Sequence, residues 1–522
     1  MGKIKAFFQK LNSLSPAAKA SFWFVISNIA LKGVSFITTP IFTRLMEIED
    51  YGATSVFVTW ESVIGILATL SLAGGVYNVA QAKYSDDIEA FTSAMLTLSF
   101  ITSTLVYSIC ILINTLFPAL FGLNNLFLGF MWLQTFTNAV VTFWLMRRRY
   151  LYAYKGVIAY TLMSAILNPT IAIIGVLLFP NYAVYAKLIG AGIGGILFGL
   201  VVCVITYVKG KKFVSKQYWG YALKFNLPLL PHYLSSVLLN SSDKLMIDRM
   251  VSTAHAGIYS IAHSITGLVS IITQAINAAL IPFTLQSIKA KQYKGLKNVM
   301  TVCTALVAVV CACLVLFAKE GILIFATKEY LDAVWFIPPL AMATLFSFIY
   351  GILGNIMFYY EKTWHMSVIT IICAVVNIAT NYFAIKYFGY FAAGYTTLGC
   401  SMLQMLACYF VVRKYEKHLN EIVDLRWFFL IIGAYLVVMI YGMFFYNLFW
   451  ARLGLLLAVL LALLIFHKKI IGMFASMMAE TKKKKQENAS KQAEMEEGQD
   501  DGAFEGMPPS ENAGEASVLL EE

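Results

Sequence analysis

Fourteen apolar runs, each long enough to cross a bilayer as a helix, take up most of this chain. They lie at about 20–43, 52–80, 90–117, 124–146, 156–179, 182–207, 219–247, 256–285, 297–318, 333–359, 364–385, 389–412, 427–447 and 451–471. A hydrocarbon core about 30 Å thick needs about 20 apolar residues in helical form. Within lipid every backbone N–H and C=O must find a partner, which runs of this length meet as helices. The expectation is an all-α polytopic membrane protein with about fourteen transmembrane helices. Only 13% of the residues are charged, about half the share of a soluble domain.

Lysine and arginine set the orientation, because cytoplasmic loops retain positive charge. With the N-terminus inside, the inner segments up to Lys469 hold 24 Lys and Arg and the outer loops hold six. Both termini are therefore expected in the cytoplasm, in a multi-pass protein of the cell (inner) membrane. Residues 1–19, basic and amphipathic, read as a cytoplasmic interfacial segment rather than a cleavable signal. The net charge of +11 divides into −10 over residues 486–522, with eleven acidic residues and one Lys, and +21 over the rest. A positive body suits an anionic inner leaflet, not nucleic acid. The region 473–522 reads as a disordered acidic tail.

Polarity concentrates in one stretch, Tyr218 to Gly257, with two prolines, His232, Asn240, Asp243, Lys244, Asp248 and Arg249. On a helix, His232, Ser236, Asn240 and Asp243 share one face, since steps of four, four and three nearly close whole turns. Near the start of the chain Asn28, Lys32, Ser35 and Thr39 make a similar stripe. Arg44 precedes Gly52 by eight residues, and Arg249 precedes Gly257 by eight, at an offset of 205; the stripes are offset by 204. Two homologous halves follow, an N-lobe over 20–207 (spans one to six) and a C-lobe over 218–414 (spans seven to twelve), joined by a linker at 208–217. Six spans per half is even, so the repeats are parallel, and spans thirteen and fourteen (415–472) are an appendage.

Ionisable groups at membrane depth are expensive and mark functional candidates. Lys32, midway along span one, needs a water-filled cavity or a counter-charge such as Glu61 in span two. Asp243 and Lys244 face a cavity if Pro228 breaks the span, and otherwise sit at the outer interface. His232 and His263 are candidates beside their plainer reading as hydrogen-bonded structural residues. Arg44, Asp248 and Arg249 read as interfacial anchors, and Lys187 and Lys224 as snorkelling side chains or substrate contacts. Candidate cavity residues are thus Asn28, Lys32, Ser35, Thr39, Glu61, His232, Asn240, Asp243, Lys244 and His263. Their charges lean positive, which suits an anionic substrate such as a lipid-linked phosphate. The eight cysteines lie inside apolar runs without metal-ligand spacing and read as small core residues. No P-loop, G-x-S-x-G, H-E-x-x-H or outer-loop acidic pair is present, so neither an enzyme nor a protein cofactor is expected.

The run Pro40 to Leu45 (PIFTRL), then Glu49 to Gly52 (EDYG), then Gly74 and Gly75, resembles the opening of polysaccharide-biosynthesis flippases. Asp243 to Asp248 (DKLMID) followed by Ala256 to Ser260 (AGIYS) resembles the matching place in their second half. The resemblance, over spans one to twelve, is to Wzx-like O-antigen and exopolysaccharide flippases of the MOP superfamily, which also holds MATE exporters and the lipid II flippase MurJ. It implies two six-helix lobes around a central cavity and alternating access. It implies translocation of an undecaprenyl-pyrophosphate-linked oligosaccharide from inner to outer leaflet, with membrane lipids and polysaccharide assembly proteins as partners. The coupling ion, H+ or Na+, stays open. Alternatives are a cation-coupled small-molecule exporter of the MATE type, a lipid II flippase and, from another class, a membrane scaffold; fourteen spans are a feature of MurJ.

Overall fold

A computed structural model describes residues 16–458 and Leu461. The N-terminal residues before Pro16, the rest of the expected span fourteen and the acidic tail lie outside the described residues. Residues up to Leu457 form one compact unit, and a second begins at Ala458. Every regular element among the described residues is helical. The long helices are α1 (Pro16–Leu45), α2 (Ile48–Thr69), α3 (Ile88–Leu116), α4 (Asn125–Tyr150), α5 (Tyr154–Leu178), α6 (Ala183–Gly210), α7 (Leu230–Met250), α8 (Thr253–Lys289), α9 (Tyr293–Leu316), α10 (Ile337–Tyr359), α11 (Thr363–Phe388), α12 (Ala392–Tyr415) and α13 (Leu425–Phe444). Twelve of them are long and apolar enough to cross a membrane; α7 is too polar to qualify by composition. A further apolar helix, Phe449–Ala458, opens the expected fourteenth span.

Two expected spans divide. The run 52–80 ends as a helix at Thr69, turns through Leu70 and Ser71 at positive φ, and resumes as a short helix, Val76–Lys83. The run 219–247 breaks into Lys216–Asn226 and α7, with a turn at Leu227–Leu229. Pro228 and Pro231 lack the N–H that a continuous helix needs. Asn226 also turns its amide away: Oδ1 accepts from Val76 N at 2.8 Å and Nδ2 donates to Leu70 O at 2.7 Å. Trp219 Nε1 donates to Ala94 O at 2.9 Å. The segment 216–226 is thus packed on the first half, and the second half begins at the α7 prolines.

The two halves repeat the same pairings. α1 packs on α5, α5 on α6, α4 on α6, α3 on α4 and α2 on α3. In the same order α7 packs on α11, α11 on α12, α10 on α12, α9 on α10 and α8 on α9. Each half has six helices, so both run in the same sense, as the sequence offset requires. α13 packs on α9, outside this scheme.

The halves meet along α2 and α8. Gly52 and Gly257 face each other so closely that a Cβ on Gly257 would lie 2.8 Å from Ile48 O and 3.2 Å from Gly52 Cα. One turn on, Ser55 Oγ and Ser260 Oγ are 2.6 Å apart, and these two residues are separated by 205 positions. The offset found in the sequence is therefore the offset of residues in contact across the seam. The same end of the bundle, where α1 turns into α2 and α7 into α8, carries further ties. Thr43 Oγ1 donates to Phe325 O at 2.8 Å, and Arg44 Nη2 donates to Leu323 O and Ile324 O, each at 3.1 Å. Those carbonyls belong to a short helix, Ala318–Phe325, whose Glu320 is gripped by Arg452 through two bonds of 2.7 Å.

Candidate functional site

A cavity of about 590 Å³ opens in the second half, walled by α7, α8, α10, α11 and α12. Its volume falls within the range of small-ligand pockets, about 300–1,000 Å³. The polar stripe of α7 forms one wall: His232, Ser236, Asn240 and Asp243 all line it, as the helical spacing predicts, and His263 joins them from α8. Pro228 and Pro231 position that wall, since the break before α7 frees this face from the amphipathic segment 216–226.

Asp243 is the most elaborately held group. It is 1% exposed. Its carboxylate accepts from Tyr259 Oη at 2.6 Å, Asn381 Nδ2 at 2.5 Å and Thr397 Oγ1 at 2.5 Å. Behind it Ser242 Oγ donates to Asn377 Oδ1 at 3.0 Å, Asn381 Nδ2 also reaches Asn377 Oδ1, and Thr396 Oγ1 donates to Asn381 Oδ1. Three donors satisfy the carboxyl oxygens, which is the condition for keeping them buried. The network ties α7, α8, α11 and α12 together at one point. Asp248, further along α7, accepts from Thr253 Oγ1 at 2.7 Å and pairs with Arg249, so it fixes the start of α8.

The first half places its candidates differently. The side chain of Asn28 lies outside the description. Lys32 and Ser35 are exposed on α1, and Thr39 Oγ1 donates to Ser35 O at 2.9 Å. Lys32 makes no ion pair among the described residues. Glu61 is half-buried and takes Gln134 Nε2 and Asn138 Nδ2 as partners, each at 3.4 Å, rather than Lys32. Lys244, half-buried beside Asp243, is not part of the cavity lining. The cavity of the second half is lined by one carboxylate and no Lys or Arg, and the stripe of α1 lies in the other half.

Lys187, on α6, was legible only as a lysine near a span end. It is half-buried in the first half with Nζ 2.7 Å from Thr54 Oγ1, 4.1 Å from the Tyr51 ring centroid and 4.8 Å from that of Phe42. Both rings lie within cation–π range. Thr54 and Tyr259 are 205 residues apart. A lysine and a carboxylate thus touch equivalent positions on the two sides of the seam. Asn377 and Asn381, four apart in an apolar run, were the available signal for the Asp243 partners, but which residue they serve depends on packing between helices. No cluster of three His, Cys, Asp or Glu able to hold a metal ion occurs among the described residues.

The family described as Polysaccharide biosynthesis protein matches residues 17–288, just over half of the chain. The MatE family matches residues 228–383. The chain is similar to "Lsg locus putative protein 1" of Haemophilus influenzae, 24% identical over 390 residues, which cover 71% of this chain and 93% of that protein. An "Uncharacterized membrane protein" of the same organism is 23% identical over 370 residues, 69% of this chain and 88% of its own. Among solved structures, the lipid II flippase MurJ in an inward closed conformation superposes with a TM-score of 0.56 at 15% identity, over 86% of this chain and all of that one. An inward-facing MATE family transporter of the MOP superfamily gives 0.50 at 15% identity, over 74% and 94%. The structural likenesses speak for the fold, all-α and polytopic, and the sequence match runs from α1 through nearly all of α8; the chain belongs to the polysaccharide biosynthesis protein family.

Proposed function

We propose that the protein is a flippase that carries an undecaprenyl-pyrophosphate-linked oligosaccharide from the inner to the outer leaflet by alternating access. The observation that carries this reading is the α2–α8 seam. Two repeat halves, N-lobe and C-lobe, close one end of the bundle on facing glycines, with a polar cavity beside them in the second half. A seam of small residues, tied by the Ser55–Ser260 bond and, beside it, by Thr43 and Arg44 to backbone carbonyls, is suited to parting and reforming. With both termini in the cytoplasm of a cell in whose inner membrane the protein lies, the closed end is the outer one and this state faces inward. We assign Lys32, exposed on α1 and without an ion pair among the described residues, to the pyrophosphate. Membrane lipids and polysaccharide assembly proteins are the partners this reading implies.

An ion gradient biases such an equilibrium only through a group whose affinity differs between the two states. Asp243 is the group we assign to that task, since its donors come from three separate helices. The test of the flippase reading is the leaflet distribution of the lipid-linked sugar in cells carrying wild type, Lys32→Ala or a deletion. Accumulation in the inner leaflet in the deletion, and in Lys32→Ala at normal protein level, is expected. Normal distribution in a deletion that lacks any other flippase overturns the reading.

A second reading, a cation-coupled exporter of the MATE type, is favoured by one observation. The MatE match covers α7 to most of α11, the region that contains Asp243 and its asparagines. Altered drug sensitivity in the deletion strain, with normal lipid-linked sugar, would select it.

A further inference from the structure

The cavity of the second half has a chemistry of its own. Of its 29 lining residues, fourteen are Ser, Thr, Asn or Gln, and the sole carboxylate is Asp243. Asp243 already accepts from three donors. A ligand in this space meets hydroxyls and amides that both donate and accept, and no Lys or Arg in the lining.

Several of those groups are turned into the cavity and unused. The side chains of Ser270, Gln274, Ser347 and Ser401 make no hydrogen bond within the protein, among the described residues. Ser347 is exposed although Leu345, Phe346, Phe348 and Ile349 around it on α10 are all buried. The amide of Asn277 is fixed from behind: Asn355, 2% exposed, donates Nδ2 to Asn277 Oδ1 at 2.8 Å and leaves the Asn277 NH2 free. Phe348, Tyr350 and Phe358 add flat apolar faces to the same walls. Neutral donors and acceptors between aromatic faces are what a ring carrying many hydroxyls needs.

We propose that this cavity is a glycan subsite that takes uncharged sugar residues, hexoses and N-acetylhexosamines, and rejects acidic ones such as uronic acids. The proposal rests on the flippase reading and specifies which part of the lipid-linked substrate enters the second half. An acidic sugar would bring a second carboxylate beside Asp243 with no Lys or Arg in the lining to offset it, an unfavourable pairing. The pyrophosphate is then left to the first half, where Lys32 has no ion pair among the described residues.

The experiment uses the full chain in lipid nanodiscs and three probes: undecaprenyl pyrophosphate alone, the same carrier with a neutral trisaccharide, and the carrier with a trisaccharide containing a hexuronic acid. The neutral glycan is expected to tighten binding over the bare carrier by about tenfold or more, the worth of one or two net hydrogen bonds. The acidic glycan is expected to give no gain. Ser347→Leu, which puts an apolar side chain into open space, removes the gain and leaves the bare carrier as it was; Gln274→Leu is the second variant should Ser347→Leu melt early. Equal binding of all three probes, or a gain that survives both variants, overturns the glycan subsite alone. Failure of every probe to bind overturns the flippase reading, and the subsite with it.

Discussion

Replacing Gly52 by alanine tests the seam directly. A Cβ at this position would lie 2.9 Å from Thr253 C and 3.2 Å from Gly257 N, and closer still to the Thr253 carbonyl oxygen. Heavy atoms settle at about 3.5 Å or more. The obstacle is the backbone of the first turn of α8, which cannot rotate aside as a side chain does. α2 and α8 must therefore separate by roughly half an ångström or more. Such overpacking costs about 1–3 kcal/mol, and about 2 kcal/mol moves a two-state equilibrium about thirtyfold. Alanine also gains about 0.5–1 kcal/mol of helix preference over glycine, but that gain is the same whether the seam is open or shut. The assay is disulfide formation in a Ser55→Cys, Ser260→Cys pair, whose parent oxygens are 2.6 Å apart. In membranes with a mild oxidant, cross-linking is expected to slow by about tenfold or more when Gly52→Ala is added. Gly257→Ala should do the same less strongly, since its worst contact is 2.8 Å, to Ile48 O. If the Gly52→Ala pair cross-links as fast as its parent, at an unchanged melting temperature, the closed seam described here is wrong.

Asp243→Asn keeps the shape but sets an NH2 against the donors on one side of the former carboxylate, either Asn381 or Tyr259 and Thr397; it should lower thermal stability by about 2–3 kcal/mol and abolish transport, while Tyr259→Phe, which removes one donor, should cost less, about 1–2 kcal/mol. Lys187→Met removes a cation that has a hydroxyl and two rings but no carboxylate; stability should stay within about 1 kcal/mol of wild type or rise, and a loss above about 3 kcal/mol would show that Lys187 is a packing element. Arg452 holds the Glu320 carboxyl below the usual carboxylate range, chiefly through its hydrogen bonds. That contribution to stability is present above the unfolded value of about 4.3 and is lost as pH falls through the lower folded value. A pH series of melting temperatures should therefore decline on the acid side in wild type and flatten in Arg452→Met.

The halves were readable because repetition survives in one dimension: Arg44 and Gly52 against Arg249 and Gly257 gave the offset that Ser55 and Ser260 show in contact. The α7 stripe was readable because a face of a single helix depends only on spacing within it. What escaped were properties of helix pairs. Two of the three partners of Asp243, Asn381 and Thr397, come from helices beginning more than a hundred residues away, and Lys187 is placed by α1 and α2 rather than by its neighbours on α6. The sequence left the break at Pro228 open, because Tyr218 to Asn226 is apolar enough to continue a helix. Asn226 spends its amide on Leu70 and Val76 instead, a contact across 150 positions that no local pattern announces.

On the axis that relates the halves, a residue touches its own duplicate. Ser55 against Ser260 and Gly52 against Gly257 are the intramolecular form of an isologous dimer contact, in which one patch serves both partners. In a true dimer of identical chains every mutation enters such a contact twice, so the patch must always suit itself. Joining the two copies in one chain removes that constraint. Thr54 and Tyr259 are one position in the repeat, and they have since acquired a lysine on one side and a carboxylate on the other. Small residues remain where the copies meet face to face, and chemical difference accumulates one step off the axis, where each half is free to specialise.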